Sequence, residues 1–299
     1  MLSLTLFLAC GTHAAPPAPV TQAPPGFWDH WGDGQGELAG YRLTQPRYGE
    51  PRSGEAVLVT VTETFTGAGR VKSDGGHGDE YPVVKLNEVR DFQTGIYDYN
   101  VLTSVFLRLD GVDPLGLPNK VSFSLQEWCG HVYEELAPTG VGLTQLTHSY
   151  FDGESVGSAV HDTPRGGVVA DAMPMLVRGL GGPLLAPGER REVPWLASAL
   201  DRRLHHRPVS WATAVLSLAS DTSSTTVPAG TFTTREWTAR PSAGPVSQWW
   251  VEVDPPHRLV RWARDDGEVG ELTGVTRRRY WQDKREGDEA LRAELGLTP

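Results

Sequence analysis

From Phe27 onward the chain alternates apolar and polar residues with a period of two, the pattern of half-buried strands. Val57, Val59, Val61 and Phe65 share one face of a predicted strand, interrupted by Glu63, with Thr60, Thr62 and Thr64 opposite. Tyr97, Tyr99, Val101, Val105, Leu107 and Leu109 define a second strand, with Asp98, Asn100, Ser104 and Arg108 on its other side. A third is expected over Val121 to Tyr133, opening with Val121, Phe123 and Leu125 on one face, and a fourth over Gly142 to Phe151.

Between Asp152 and Thr226 the alternation weakens, and Pro/Gly punctuation at 164–167, 179–183 and 187–188 predicts loops. One helix is expected there, starting near Pro194, burying Leu196, Leu200 and Leu204 at four-residue spacing and ending before Pro208. The last third returns to strands over Gly230 to Ala239, Gln248 to Val253, Arg258 to Arg264 and Glu268 to Trp281. Turns are expected at Asp254-Pro-Pro256 and Asp265-Asp-Gly267, and a short closing helix over Asp288 to Leu295 stops at Gly296. No repeat of 20 to 50 residues and no regular strand–helix alternation is present, which disfavours solenoids, propellers and doubly wound α/β folds. The expected fold is mainly β: a curved antiparallel sheet or half-barrel with one or two short helices.

Charge narrows the range of partners. The 299 residues carry 27 Lys and Arg against 37 Asp and Glu, a net of −10, so a surface built to follow a phosphate backbone is excluded. No apolar run after the first ten residues approaches the ~20 needed for a membrane-spanning helix. The N-terminus reads as an apolar stretch from Met1 to Leu8, then Ala9 directly before Cys10. This resembles a lipoprotein signal peptide, in which the cysteine thiol is acylated and becomes the first residue of the mature chain. The resemblance implies a lipid on Cys10, attachment to a membrane of the cell envelope and a body facing the periplasm. Gly11, in place of Asp after that cysteine, resembles outer-membrane sorting. Residues 1–10 are then the signal segment, 11–26, rich in Pro and Ala, a tether, and 27–299 one β-dominated domain. After lipidation only Cys129 remains, so no internal disulfide is expected.

Phosphate-loop, HExxH, GxSxG and paired CxxC motifs are absent, so neither a cofactor nor a metal site is expected. One stretch concentrates chemistry. If the third strand stayed regular past Leu125, its apolar face would go on to present Glu127, Cys129 and His131, with i and i+2 side chains roughly 7 Å apart. Cys129 would then be a thiolate nucleophile or soft ligand, His131 its base and Glu127 the orienting acid. The bland reading is that a lone free cysteine packs, and that Gly130 breaks the strand. The ten Trp residues, with Trp249, Trp250, Trp262 and Trp281 clustered late, would suit an apolar ligand cavity or simply a β core.

Four stretches, Tyr41 to Glu63, Arg90 to Phe106, Val121 to Leu136 and Leu146 to Glu154, resemble a family of uncharacterised bacterial lipoproteins sometimes labelled septum formation inhibitor Maf. The SxSPRR motif of the Maf nucleotide pyrophosphatases is absent, so no catalytic residue carries over. Trp249 to Trp281 is similar to the closing strands of LolA-like lipoprotein carriers. That likeness implies a half-barrel holding a hydrophobic ligand, or an envelope partner, on its concave face. The sequence thus supports a binding lipoprotein, with a thiol- or metal-dependent enzyme centred on Cys129 and His131 as the alternative.

Overall fold

The computed structural model describes residues 22–67, 69–111 and 117–297. The signal segment, Cys10 and most of the expected tether lie outside them. Of the tether's described residues, Gln22 donates its N–H to the Gly181 carbonyl and Ala23 to that of Leu109, so the chain is docked before Phe27 is reached.

The first half is a meander of eight strands: β1 (Gly36–Arg47), β2 (Glu50–Phe65), β3 (Tyr81–Thr94), β4 (Tyr97–Arg108), β5 (Lys120–Glu127), β6 (Gly130–Thr139), β7 (Gly142–Ser149) and β8 (Gly157–His161). The second half holds β9 (Val168–Val169), β10 (Arg190–Leu196), β11 (Trp211–Leu218), β12 (Ser223–Val227), β13 (Gly230–Pro241), β14 (Ser247–Glu252), β15 (Leu259–Arg264) and β16 (Val269–Arg278). Short helices are α1 (Phe27–Trp31), α2 (Met173–Leu176) and α3 (Ala199–Leu204), with 3₁₀ turns at Ala170–Ala172, Tyr280–Gln282 and Asp288–Leu295.

The sixteen strands among the described residues belong to one curved, unclosed sheet. Its order is 8-7-6-5-4-3-2-1-16-15-14-13-11-10-9, with β12 paired to β13 off this path. The two meanders join where β1 pairs antiparallel with β16. The sheet ends on the short strand β8 at one side and on β9, which covers only Trp195 and Leu196 of β10, at the other.

Segment 168–204 fills the concave side. Val168, Val169, Ala172, Met173 and Met175 pack in one core with Leu58, Leu86, Val105, Leu136, Trp249 and Trp262 from the sheet. Leu200 of α3 joins Phe92, Tyr99, Val101, Phe123 and Leu125 in a second cluster. The molecule therefore supplies its own filling for the groove that the curvature creates.

Mainly β architecture and the closing meander match the sequence reading, and the 3₁₀ turn over Asp288–Leu295 ends at Gly296 with φ 66°. Three expectations are corrected. The helix does not start at Pro194: Pro194 and Leu196 lie in β10, where Val193 and Trp195 face the core. Pro194 is tolerated there because β9 reaches only Trp195 and Leu196, so no ladder partner on that side needs the missing N–H. The helix is α3, capped by the Ser198 hydroxyl, which accepts from the Asp201 N–H at 3.2 Å. Second, the strand expected over Val121 to Tyr133 is two strands, β5 and β6, because Trp128 and Cys129 form a two-residue turn. Third, 152–226 contains five strands as well as loops. In β2 the main core takes Ala56 and Leu58, while Val59, Val61 and Phe65 are buried on the opposite face.

Candidate functional site

The hairpin between β5 and β6 disperses the expected thiol site. Gln126 pairs with His131 and Leu125 with Val132, so His131 points to the face opposite Leu125 and Glu127. Cys129 sits at the turn, exposed, and Glu127 accepts a 2.8 Å hydrogen bond from its backbone N–H. The hydrogen bond from the thiol to the Glu127 carboxylate, then the carboxylate's charge, raise the Cys129 pKa, which disfavours the thiolate. Among the described residues no three His, Cys, Asp or Glu are grouped to hold a metal.

The centre of the concave side holds a charged network instead. Glu88 and Arg90 stand next to each other between Leu86 and Phe92 on the inner face of β3, with side chains 11% and 12% exposed. Arg90 bridges Glu88 at 2.7 Å and Glu268 at 2.9 Å, and Glu268 also accepts from the Trp262 indole N–H at 2.8 Å. Arg264 continues the network to Asp201 of α3 at 2.7 Å. Burial alone would raise the Glu268 carboxyl, but Arg90 and Arg264 hold it below the ordinary carboxylate range. Nearby, Asp171 accepts from the Ala199 N–H and is fully buried, and that burial pushes its pKa up to about 6. The space left among these groups is about 80 Å³, room for a few waters. This is too small for a lipid, since small-molecule sites occupy roughly 300 Å³ or more.

A larger opening lies to one side. A cleft of about 500 Å³ separates β6–β8 and loop 153–156 from α3 and the turn after it. Its wall carries a hydrogen-bonded chain. His161 Nε2 lies 2.8 Å from Gln145 Oε1, Gln145 Nε2 donates to Glu134 at 2.7 Å, and Glu134 takes both guanidinium nitrogens of Arg202 at 2.5 and 2.9 Å. Because the Gln145 amide nitrogen is spent on Glu134, its oxygen must accept, which places a proton on His161 Nε2.

At the mouth, Glu154 bridges Arg203 and His206, the latter at 2.8 Å. Arg207 has only a 3.7 Å contact with Asp201, whose carboxylate is already held by Arg264 at 2.7 Å. The lining thus contains three arginines against two carboxylates, a local positive excess on a chain of net charge −10. Such a site attracts carboxylate or phosphate, and planar guanidinium groups suit both geometrically.

The sequence pattern predicts loops and one helix over 152–226, which does not reveal this cleft. The available signal was the run Arg202-Arg203-Leu-His-His-Arg207, five basic side chains within six residues. The acids that complete the site come from β6 and the β7–β8 loop, some 50 to 70 positions earlier.

No known family profile matches the chain, and no curated protein does. Among solved structures, the chain is similar to a β-barrel-like protein of the domain of unknown function DUF1849 from Brucella abortus. Identity is 9%, with 82% of this chain and 98% of that one covered and a TM-score of 0.45. A second similar structure, from Bacteroides fragilis, belongs to a protein assigned as exported with a YmcC-like fold. There identity is 11%, coverage 87% and 99%, and the TM-score 0.22.

Proposed function

We propose that the chain is a cell-envelope lipoprotein, anchored through a lipid on Cys10 and facing the periplasm, that works as a binding protein. An acidic group of its ligand enters the cleft between β6–β8 and α3. The observation that carries the binding reading is the cleft itself, roughly six times the volume of the interior cavity and lined by Arg202, Arg203 and Arg207 with one cation loosely paired. A hydrophobic ligand on the concave face is not favoured, because segment 168–204 and the Trp residues pack that face. A thiol-dependent enzyme is not favoured either, because Cys129 and His131 belong to a turn and to an outward strand position.

Two measurements test this. Wild-type protein should fractionate with membranes and carry a diacylglyceryl mass on Cys10, whereas Cys10→Ser should be soluble; a soluble, unmodified wild type removes the anchor. Titration with glucuronate or inorganic phosphate, followed by amide NMR shifts, should perturb Arg203, His206 and Arg207 and be weakened at least severalfold by Arg207→Glu. Shifts absent at those residues for both anions would end the cleft reading.

A further inference from the structure

Because the first eight strands form a meander, the turns β1–β2, β3–β4, β5–β6 and β7–β8 all lie at one end of the sheet. Those four turns carry Tyr48, Ile96, Trp128 and Tyr150, each 59% exposed or more. Large apolar side chains so exposed, and so aligned, mark an interaction surface rather than a packing defect.

They form a connected strip. Tyr97 donates to the Tyr48 hydroxyl at 3.2 Å, and its ring lies 6.4 Å from that of Trp128. Tyr150 packs on Gly130, where a Cβ would meet its ring at 2.4 Å; glycine at the start of β6 is what lets it lie next to the Trp128 turn. Beyond it, Phe151 sits edge-on to Tyr150 at 5.5 Å and to His206 at 5.7 Å, with the Arg203 guanidinium 4.0 Å over its ring. The strip, with Gly130 between Trp128 and Tyr150, therefore leads into the cationic mouth of the cleft.

Resting on the cleft reading above, we infer that strip and cleft form one elongated site for a glycan containing acidic sugars. Sugar rings stack on Trp128 and Tyr150, and a uronate carboxylate enters between Arg203, His206 and Arg207. Three features favour this occupant. Successive turns are two strands apart, about 9.5 Å, close to the length of a disaccharide in an extended chain. Aromatic faces offer flat apolar contact to pyranose rings at low conformational cost. Carboxylates lie level with the strip: Asp98 accepts from the Trp128 indole N–H at 3.0 Å, and Glu127 caps the turn. Sugar hydroxyls can donate to such groups, whereas sinking them into an anionic bilayer surface would oppose like charges and desolvate them. Glu154, bridging Arg203 and His206, occupies the place a ligand carboxylate would take and must shift or share these two partners when the glycan binds.

The test uses the full chain with four probes: a hyaluronan hexasaccharide, which alternates uronate and neutral sugar, glucuronate alone, a neutral chito-hexaose, and phosphatidylglycerol vesicles. By calorimetry and Trp fluorescence, the acidic hexasaccharide should bind at least tenfold more tightly than glucuronate and than the neutral hexamer. Trp128→Ala and Tyr150→Ala, both exposed and checked by circular dichroism for an unchanged fold, should each weaken it severalfold to about tenfold while leaving glucuronate binding unchanged. Equal affinity for hexasaccharide and glucuronate, unaffected by Trp128→Ala, would overturn the strip and leave the cleft standing. Hexasaccharide binding that depends on Trp128 but is indifferent to Arg207→Glu would overturn the cleft and with it the acidic sugar. Vesicle binding lost in Trp128→Ala, with no glycan bound, would make the rim a membrane surface instead.

Discussion

The indole of Trp262 lies flat over Gly270, its register partner on β16, so closely that a Cβ at position 270 would stand 2.2 Å from the ring. Glycine is required there by the neighbour and not by backbone conformation. Trp262 is in turn fixed by Tyr41, with ring centroids 4.8 Å apart, and by its N–H to Glu268. Gly270→Ala is expected to displace the indole and to destabilise the fold by about 1 to 3 kcal/mol, the usual range for overpacking. Urea unfolding followed by near-ultraviolet circular dichroism reads both effects; an unchanged midpoint would show that the ring is free to move aside.

Glu268 is the hub of the interior network. Glu268→Gln keeps an acceptor for the indole but removes the charge that Arg90 and Arg264 face, leaving buried cations undercompensated. A loss of about 3 to 5 kcal/mol is expected, because breaking one partner of a buried ion pair costs far more than the pair contributes. The carboxyl is held below its ordinary range, so its contribution is present at neutral pH and is lost as pH falls through the lowered folded value. The variant should therefore lose part of the wild type's acid sensitivity, which urea midpoints between pH 3 and pH 7 would reveal.

The legible parts of this fold are those where one face is apolar and the other wet. β4 alternates Tyr97, Tyr99 and Val101 against Asp98 and Asn100, and β14 to β16 do likewise, so the period of two survives in the sequence. It fails where both faces are covered or where the core face is charged. β3 carries Glu88 and Arg90 toward the interior and so does not read as a strand, although their pairing with each other and that of Arg90 with Glu268 make burial possible. The break at Trp128-Cys129 was hidden because neither residue is a strong turn former; only Gly130, beside Tyr150, hinted at it. The cleft was illegible for a different reason, since its acids and bases come from elements far apart in sequence.

Cys129 offers a direct check on the turn. Its thiol is exposed, yet the Glu127 carboxylate raises its pKa, so alkylation by iodoacetamide at pH 7 is expected to be slower than for a free thiol of ordinary pKa near 8.5. Glu127→Gln removes the negative charge and should speed the reaction, moving the midpoint of its pH profile down. Cys129→Ser should leave binding of every ligand unchanged. A Cys129 that alkylates rapidly at pH 7 in the wild type would restore the nucleophile reading.

Asp171 supplies the opposite pH dependence from Glu268. Its carboxyl accepts from the Ala199 N–H at 3.1 and 3.2 Å and so fastens α3 to the segment that fills the groove. Burial raises its pKa to about 6, against an attraction from Arg202 that works the other way. Between the unfolded value near 3.8 and about 6, the folded protein therefore binds more protons than the unfolded chain. Stability from this group is fully present below pH 4 and falls as pH rises through 6, by on the order of 2 to 3 kcal/mol. Asp171→Asn keeps an oxygen to accept from Ala199 and never ionises, so it should match the wild type near pH 4 and exceed it at pH 7. Urea midpoints for the two proteins at pH 4, 5, 6 and 7 measure the difference. A constant gap across that range would mean that Asp171 stays ionised throughout, and that Arg202 outweighs burial at this site.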